Sequence, residues 1–247
     1  MGMIRHTGGF TIIETMLFLA ITAALAVGVL LGTGTAINQQ RYQDAVNSLK
    51  SYMQDQFSRV ATVTNDRAGN LSCDGVAQVS EGTSGQYRGT SDCLLLGRLV
   101  TVDGSGQNLA ATNVVGYRPS GAQQTNDIAE LQAYLYGFSP VDTDTQQVSW
   151  GATIVQPKKS SPQPASLLII RSPLSGRILS FTTTHQVTNV ADLKSLINVT
   201  NMTQPLLLCV QPGSGAVASQ LLGVQVDAAA AGQSGVEIPM GNAGVCG

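Results

Sequence analysis

An α+β fold is expected, with a long N-terminal helix, transmembrane in its first half and amphipathic in its second, packed on an antiparallel β-sheet domain. Three observations predict it. Residues 15–37 are 23 consecutive positions without a charge, inside an apolar stretch that starts at Phe10. Residues 37–64 contain neither Gly nor Pro and repeat apolar side chains at three- and four-residue steps. Beyond Gly69 the chain becomes rich in Gly, Ser, Thr, Gln, Val and Leu, a composition of short strands and turns.

The composition narrows the function classes. Only 11% of the 247 residues are charged, against roughly 25% in an average soluble domain. Thirteen Lys+Arg stand against fifteen Asp+Glu without a block of either sign, which argues against a broad basic face for nucleic acid. Two histidines leave most metal and acid–base constellations without their commonest member. A self-sufficient enzyme is a poor fit, and no cofactor is expected.

The first nine residues, MGMIRHTGG, carry Arg5 and His6 and no acid, so the positive-inside tendency puts this end in the cytoplasm and the bulk outside. Residues 10–37 exceed the roughly 20 apolar residues that a membrane helix needs. A secretory signal peptide would use a small-x-small site such as Ala24-Leu25-Ala26. The apolar run is too long for that, and Glu14 sits where such a segment is uncharged. An acid in hydrocarbon is costly and is normally kept for a partner.

Gly9-Phe10-Thr11-Ile12-Ile13-Glu14, after a short basic leader and before a long apolar helix, resembles the signature of type IV prepilins and of the pseudopilins of type II secretion and competence systems. The resemblance implies that residues 1–9 are a leader removed by a prepilin peptidase after Gly9. It implies N-methylation of Phe10, and it puts Glu14 at the fifth mature position, where the family keeps its glutamate. Ile12 replaces a more usual Leu. The implied partners are the peptidase, other pilin subunits packed through residues 10–37, and an inner-membrane assembly platform. The chemistry fits these roles independently. Gly9 has no side chain to obstruct a narrow peptidase subsite, and an amine on Phe10 can neutralise a neighbour's Glu14, fixing register more than adding stability. The family's proline inside the helix is missing. Gly28, Gly32 and Gly34 stand there instead, as helix-softening residues costing roughly 1 kcal/mol each or as a Gly-x-x-x-Gly packing face.

Residues 38–66 are expected to continue as an amphipathic helix, with Val46, Leu49, Met53, Phe57 and Val60 turned to the domain. The Asn65-Asp66-Arg67-Ala68-Gly69-Asn70 stretch is its terminator. The globular domain covers 67–247. Strands are expected at 94–102, 114–118, 131–138, 147–155, 167–171, 177–183, 206–210 and 221–226. Ser172 to Gly176 would join two of them, and residues 190–197 would form a short helix capped by Asn189.

Four cysteines, Cys73, Cys93, Cys209 and Cys246, all follow the helix. In an exported domain they read as two disulfides, with three connectivities open. Local pairing of Cys73 with Cys93 and Cys209 with Cys246 is preferred because each loop stays within one segment. The second loop also resembles the C-terminal disulfide-bounded region of many pilins. A four-cysteine zinc site lacks any Cys-x-x-Cys pair.

Other motifs carry less. Gly213-Ser-Gly215-Ala-Val-Ala218 imitates a dinucleotide fingerprint without the following helix. Asp142 and Asp144 are too few for a calcium cage and read as a solvated turn. His185 has no nucleophile elbow beside it. Lys158, Lys159 and Arg171 are the cations that nucleic acid would meet, though two lysines on a Pro/Ser loop ordinarily serve solubility. Asn70, Asn198 and Asn201 begin glycosylation sequons. The expected role is a structural filament subunit, a minor pilin in view of its large domain, acting in initiation, at the tip or on a surface ligand. The alternatives are a pseudopilin, a membrane-anchored binding module that never polymerises, and an anchored hydrolase using His185.

Overall fold

The computed structural model describes residues 11–62, 71–81, 91–213, 221–239 and 246. Helix α1, Ile12–Thr62, runs unbroken for 51 residues, about 76 Å at 1.5 Å per residue. Two short strands follow, β1 (Leu71–Cys73) and β2 (Val79–Glu81), then β3 (Cys93–Val102) and β4 (Asn108–Tyr117). Helix α2 (Asp127–Gln132) leads into the long β5 (Leu135–Gln147), and a 3-10 turn at Ser149–Gly151 precedes β6 (Thr153–Val155). Next come β7 (Ala165–Arg171), β8 (Ile178–Thr183), α3 (Val190–Leu196) and α4 (Val199–Thr203). The chain then forms β9 (Leu206–Gln211), β10 (Leu222–Val226) and β11 (Val236–Glu237). The fold is α+β, and every strand pairing is antiparallel.

Two sheets share one core. The first has the order β5-β4-β3-β7-β8 and the second β11-β10-β9-β6, with β1-β2 a separate ribbon. The second half of α1 lies against both. Tyr42, Ala45, Val46, Leu49, Tyr52, Met53, Phe57 and Val60 meet Val100, Leu109, Leu167 and Ile169 from the first sheet and Ile154, Leu208, Val210 and Val224 from the second. The helical repeat puts these residues on one stripe, and each fully buried Leu, Met or Phe contributes roughly 1.5–3 kcal/mol. A second core on the other face of the first sheet joins Leu99, Val114, Leu168, Ile170 and Phe181 to Leu131, Leu193 and Ile197. With helices on both sides, the strand β7 is buried at every position but the last, so its sequence is a continuous apolar run rather than an alternation.

Two expectations fail for local reasons. Residues 131–138 are not one strand. Asn126 caps α2 by accepting the Ala129 N–H, so Leu131 is helical and β5 starts at Leu135. Residues 147–155 are not one strand either, because Trp150 and Gly151 adopt left-handed φ of 59° and 65° and turn the chain from the first sheet to the second. The short helix stands where expected, with Asn189 accepting from Asp192 N–H. At Gly97 a β-bulge presses the backbone so close to β7 that a Cβ would lie 2.0 Å from the Ile169 carbonyl oxygen, so only glycine fits.

Candidate functional site

The described side chains of the first half of α1 are exposed. Its apolar window has mean hydropathy 2.3 and no buried residue. Ile12, Ile13, Met16, Phe18, Leu19, Leu25 and Leu30 all face outward. Thr11 caps the helix, accepting the Glu14 N–H at 3.3 Å, and Glu14 lies in the first turn where the helix dipole favours an acid. Thr15, Thr22 and Thr33 turn their hydroxyls back onto helix carbonyls, which hides polarity that hydrocarbon would not tolerate. Nothing lies within 4 Å of where a Cβ on Gly28, Gly32 or Gly34 would stand. The helix stays regular through these glycines, so the small-residue face is open. Gly9 and Phe10 lie outside the described residues.

Where α1 meets the domain, three side chains fix it. The Tyr42 hydroxyl donates to the Val210 carbonyl at 2.8 Å and accepts from the Leu222 N–H. Burial pushes that hydroxyl above the ordinary tyrosine pKa, and the Leu222 N–H opposes the shift. Ser48 accepts from Gln146 Nε2 at 3.1 Å and from Ser149 Oγ at 3.4 Å. The Trp150 indole N–H donates to Asp44 Oδ2 at 2.7 Å, while the Arg41 guanidinium stands 5.1 Å from the ring centroid. Left-handed backbone costs a bulky residue about 1–3 kcal/mol. Trp150 nevertheless remains 56% exposed.

Further along, a polar seam ties α1 to the first sheet. Opposite Thr112 alone, Pro140, Val141, Asp142 and Thr143 bulge out of β5. Asn113 Nδ2 holds the Val141 carbonyl at 3.2 Å. The Arg98 guanidinium, 2% exposed, is bound by the Asp142 carboxylate and donates to the Asp142 carbonyl at 3.0 Å. Arg59 adds a bond to Asp142 Oδ1 at 3.1 Å and one to Asp55 at 2.7 Å. Asp142 is therefore the counter-ion of a buried arginine rather than part of a merely solvated turn. Beside it, Tyr52 Oη, Arg98 Nε and both amide atoms of Gln56 are buried without hydrogen-bond partners among the described residues. Burial raises the Tyr52 hydroxyl well above its ordinary range, with Asp144 adding to the effect.

The cysteines form Cys73–Cys93 and Cys209–Cys246, which leaves no thiolate for zinc. The second bridge is buried with Val155. His185 is exposed, and its carbonyl accepts from Ser166 Oγ. Lys158 and Lys159 are exposed on their loop, and Arg171 Nε donates to the Gly176 carbonyl. Asn198 caps α4 and Asn201 Nδ2 donates to the Leu196 carbonyl, so two sequon amides have local work. Asn70 and residues 214–218 of the glycine motif lie outside the described residues. No group of three or more His, Cys, Asp or Glu side chains placed for a metal occurs among the described residues. The seam around Arg98 and the Trp150 seat escaped the sequence reading. Compared with known proteins, the chain matches no family model, no curated protein and no solved structure.

Proposed function

We propose that the chain is a pilin-like structural subunit, stored in a membrane through residues 10–37 and assembled by packing that segment against its counterparts in a filament. One observation carries the reading. A single continuous helix is apolar with its described side chains exposed over its first half, and over its second half it buries one apolar face in the domain core. Such a surface needs a hydrocarbon or protein environment. The Gly9-Phe10 junction and Glu14 assign the rest: cleavage after Gly9, methylation of Phe10, and pairing of its amine with a neighbour's Glu14. The role is structural, without a catalytic step. A minor subunit suits the two-sheet domain, and the peptidase and an assembly platform are its proposed partners.

The test is intact-mass spectrometry of the chain expressed with and without a prepilin peptidase. A product starting at Phe10, with or without one added methyl, is expected only with the peptidase. A chain left whole, or cut after the apolar run, overturns the filament reading and makes the helix a plain anchor or an export signal.

A further inference from the structure

We propose that Trp150 and Arg41 form an interfacial seat that rests the domain on the phosphate–carbonyl layer of a phospholipid bilayer while the subunit is membrane-stored. The inference rests on the membrane reading above and concerns a surface which that reading does not assign. Residues 15–37 measure about 34 Å as a helix, slightly more than the roughly 30 Å of bilayer hydrocarbon. Arg41 is the first charge beyond them. It stands about 6 Å higher along the axis, inside the polar layer of roughly 5–7 Å on each bilayer face. Helical side chains lean toward the N-terminus, so its guanidinium reaches down toward the hydrocarbon.

Trp150 lies at this level by contact, since its ring stacks on Arg41 and its N–H bonds Asp44. Indole rings favour this layer because one side is apolar and the other a hydrogen-bond donor. A brace for the helix alone would be satisfied by a buried ring. Instead the chain's one tryptophan is held outward by a left-handed backbone at Trp150 and Gly151. Trp150 also lines, with Asn38, Arg41, Tyr42 and Ala45, a small open cavity of about 70 Å³ at the same level. Asp44 offsets the charge of Arg41, so the seat fits zwitterionic and mildly anionic headgroups rather than a strongly acidic surface.

The single tryptophan makes the test direct. The full chain is reconstituted in phosphatidylcholine–phosphatidylglycerol vesicles whose acyl chains are brominated either near the headgroup or at mid-chain. Trp150 emission should fall about twofold or more with the shallow bromines, with little quenching by aqueous acrylamide, as for an interfacial indole. Strong acrylamide quenching without bromolipid quenching overturns the seat, and shielding from both assigns Trp150 to a protein contact and overturns it equally. A Trp150→Phe, Leu25→Trp variant reads the helix separately. Mid-chain quenching of that probe with a water-exposed Trp150 sinks the seat alone. Its absence sinks the membrane reading as well.

Discussion

Asp142 closes the Arg98 guanidinium off from solvent with both its carboxylate and its carbonyl, 44 residues away in sequence. Removing one partner of a buried pair leaves an uncompensated charge, which typically costs 3–5 kcal/mol. The Asp142 side chain is 32% exposed, so water recovers part of that. Asp142→Ala should lose about 2–4 kcal/mol, read as a lower urea midpoint in detergent. Arg98→Met should lose clearly less, because it removes the buried charge together with its need for a partner. Equal losses in the two variants would remove the buried-charge explanation.

Gln56, on the buried face of α1, makes the opposite prediction. It is fully buried and neither amide atom has a partner among the described residues. An unsatisfied buried polar group costs about 1–3 kcal/mol. Gln56→Met keeps the length and volume without the amide, so it should raise the unfolding midpoint by a similar amount. A destabilised variant would mean that the amide is hydrogen-bonded in solution.

These two residues show where sequence reasoning reaches and where it stops. The stripe Val46, Leu49, Met53, Phe57 and Val60 was legible because a helix writes its buried face as a fixed repeat, and all five are buried. Cysteine pairing within segments was legible for a related reason, because short loops bring their own ends together. Gln56 and Arg98 were not, since a polar letter in such a repeat gives no sign of being inside. Arg98 is covered by a bulge in β5 whose residues come from a distant segment. The strand expected through Trp150 breaks because nothing in its letter announces left-handed φ, although Gly151 beside it is a turn signal. Helix α2 was missed although Asn126, with acids at Asp127 and Glu130, is an N-cap signature.

Acid should weaken the loop packed on α2. Arg118 bonds Glu130 at 2.7 Å and, with the Gln124 N–H, holds its carboxyl below the ordinary value near 4.5. The unfolded chain therefore binds this proton more readily than the folded one. The stabilising contribution is complete above the ordinary pKa and disappears as pH falls through the lowered folded value. Asp127 and Asp103 are lowered too, the first mainly by Ser172 and the second by bonds from Asn108, Ser105 and Gln107 that outweigh burial. Unfolding midpoints measured from pH 6 to pH 2 should fall in the acid range, with a shallower fall in Glu130→Gln. An unchanged slope would remove Glu130 from the account.

The two disulfides should differ in worth. Sequence separations are 20 for Cys73–Cys93 and 37 for Cys209–Cys246. Loop-closure entropy alone favours the longer loop by about 0.5 kcal/mol. Cys209 and Cys246 are also buried. Replacing both by serine should therefore cost the larger share of the usual 2–4 kcal/mol. Thermal unfolding of Cys209→Ser/Cys246→Ser against Cys73→Ser/Cys93→Ser ranks them, and a larger loss at the first bridge would reverse the argument.

Glu14 has two separable physical roles. At the first turn of α1 it meets the helix dipole and presents its N–H to Thr11. Its carboxylate, on an exposed apolar helix, is also a charge that hydrocarbon would leave costly without a partner. Glu14→Gln keeps the backbone cap and removes the charge, whereas Thr11→Ala removes the cap at about 1 kcal/mol and keeps the charge. If register depends on a Phe10 amine meeting Glu14, the Gln variant should be processed normally yet enter filaments at least about tenfold less, the effect of 1.4 kcal/mol or more of lost pairing. Thr11→Ala should assemble nearly as well as the parent. Sheared-filament yield, normalised to processed subunit, measures both. Equal loss in the two variants would assign Glu14 to helix initiation and leave subunit register to the apolar packing of residues 10–37.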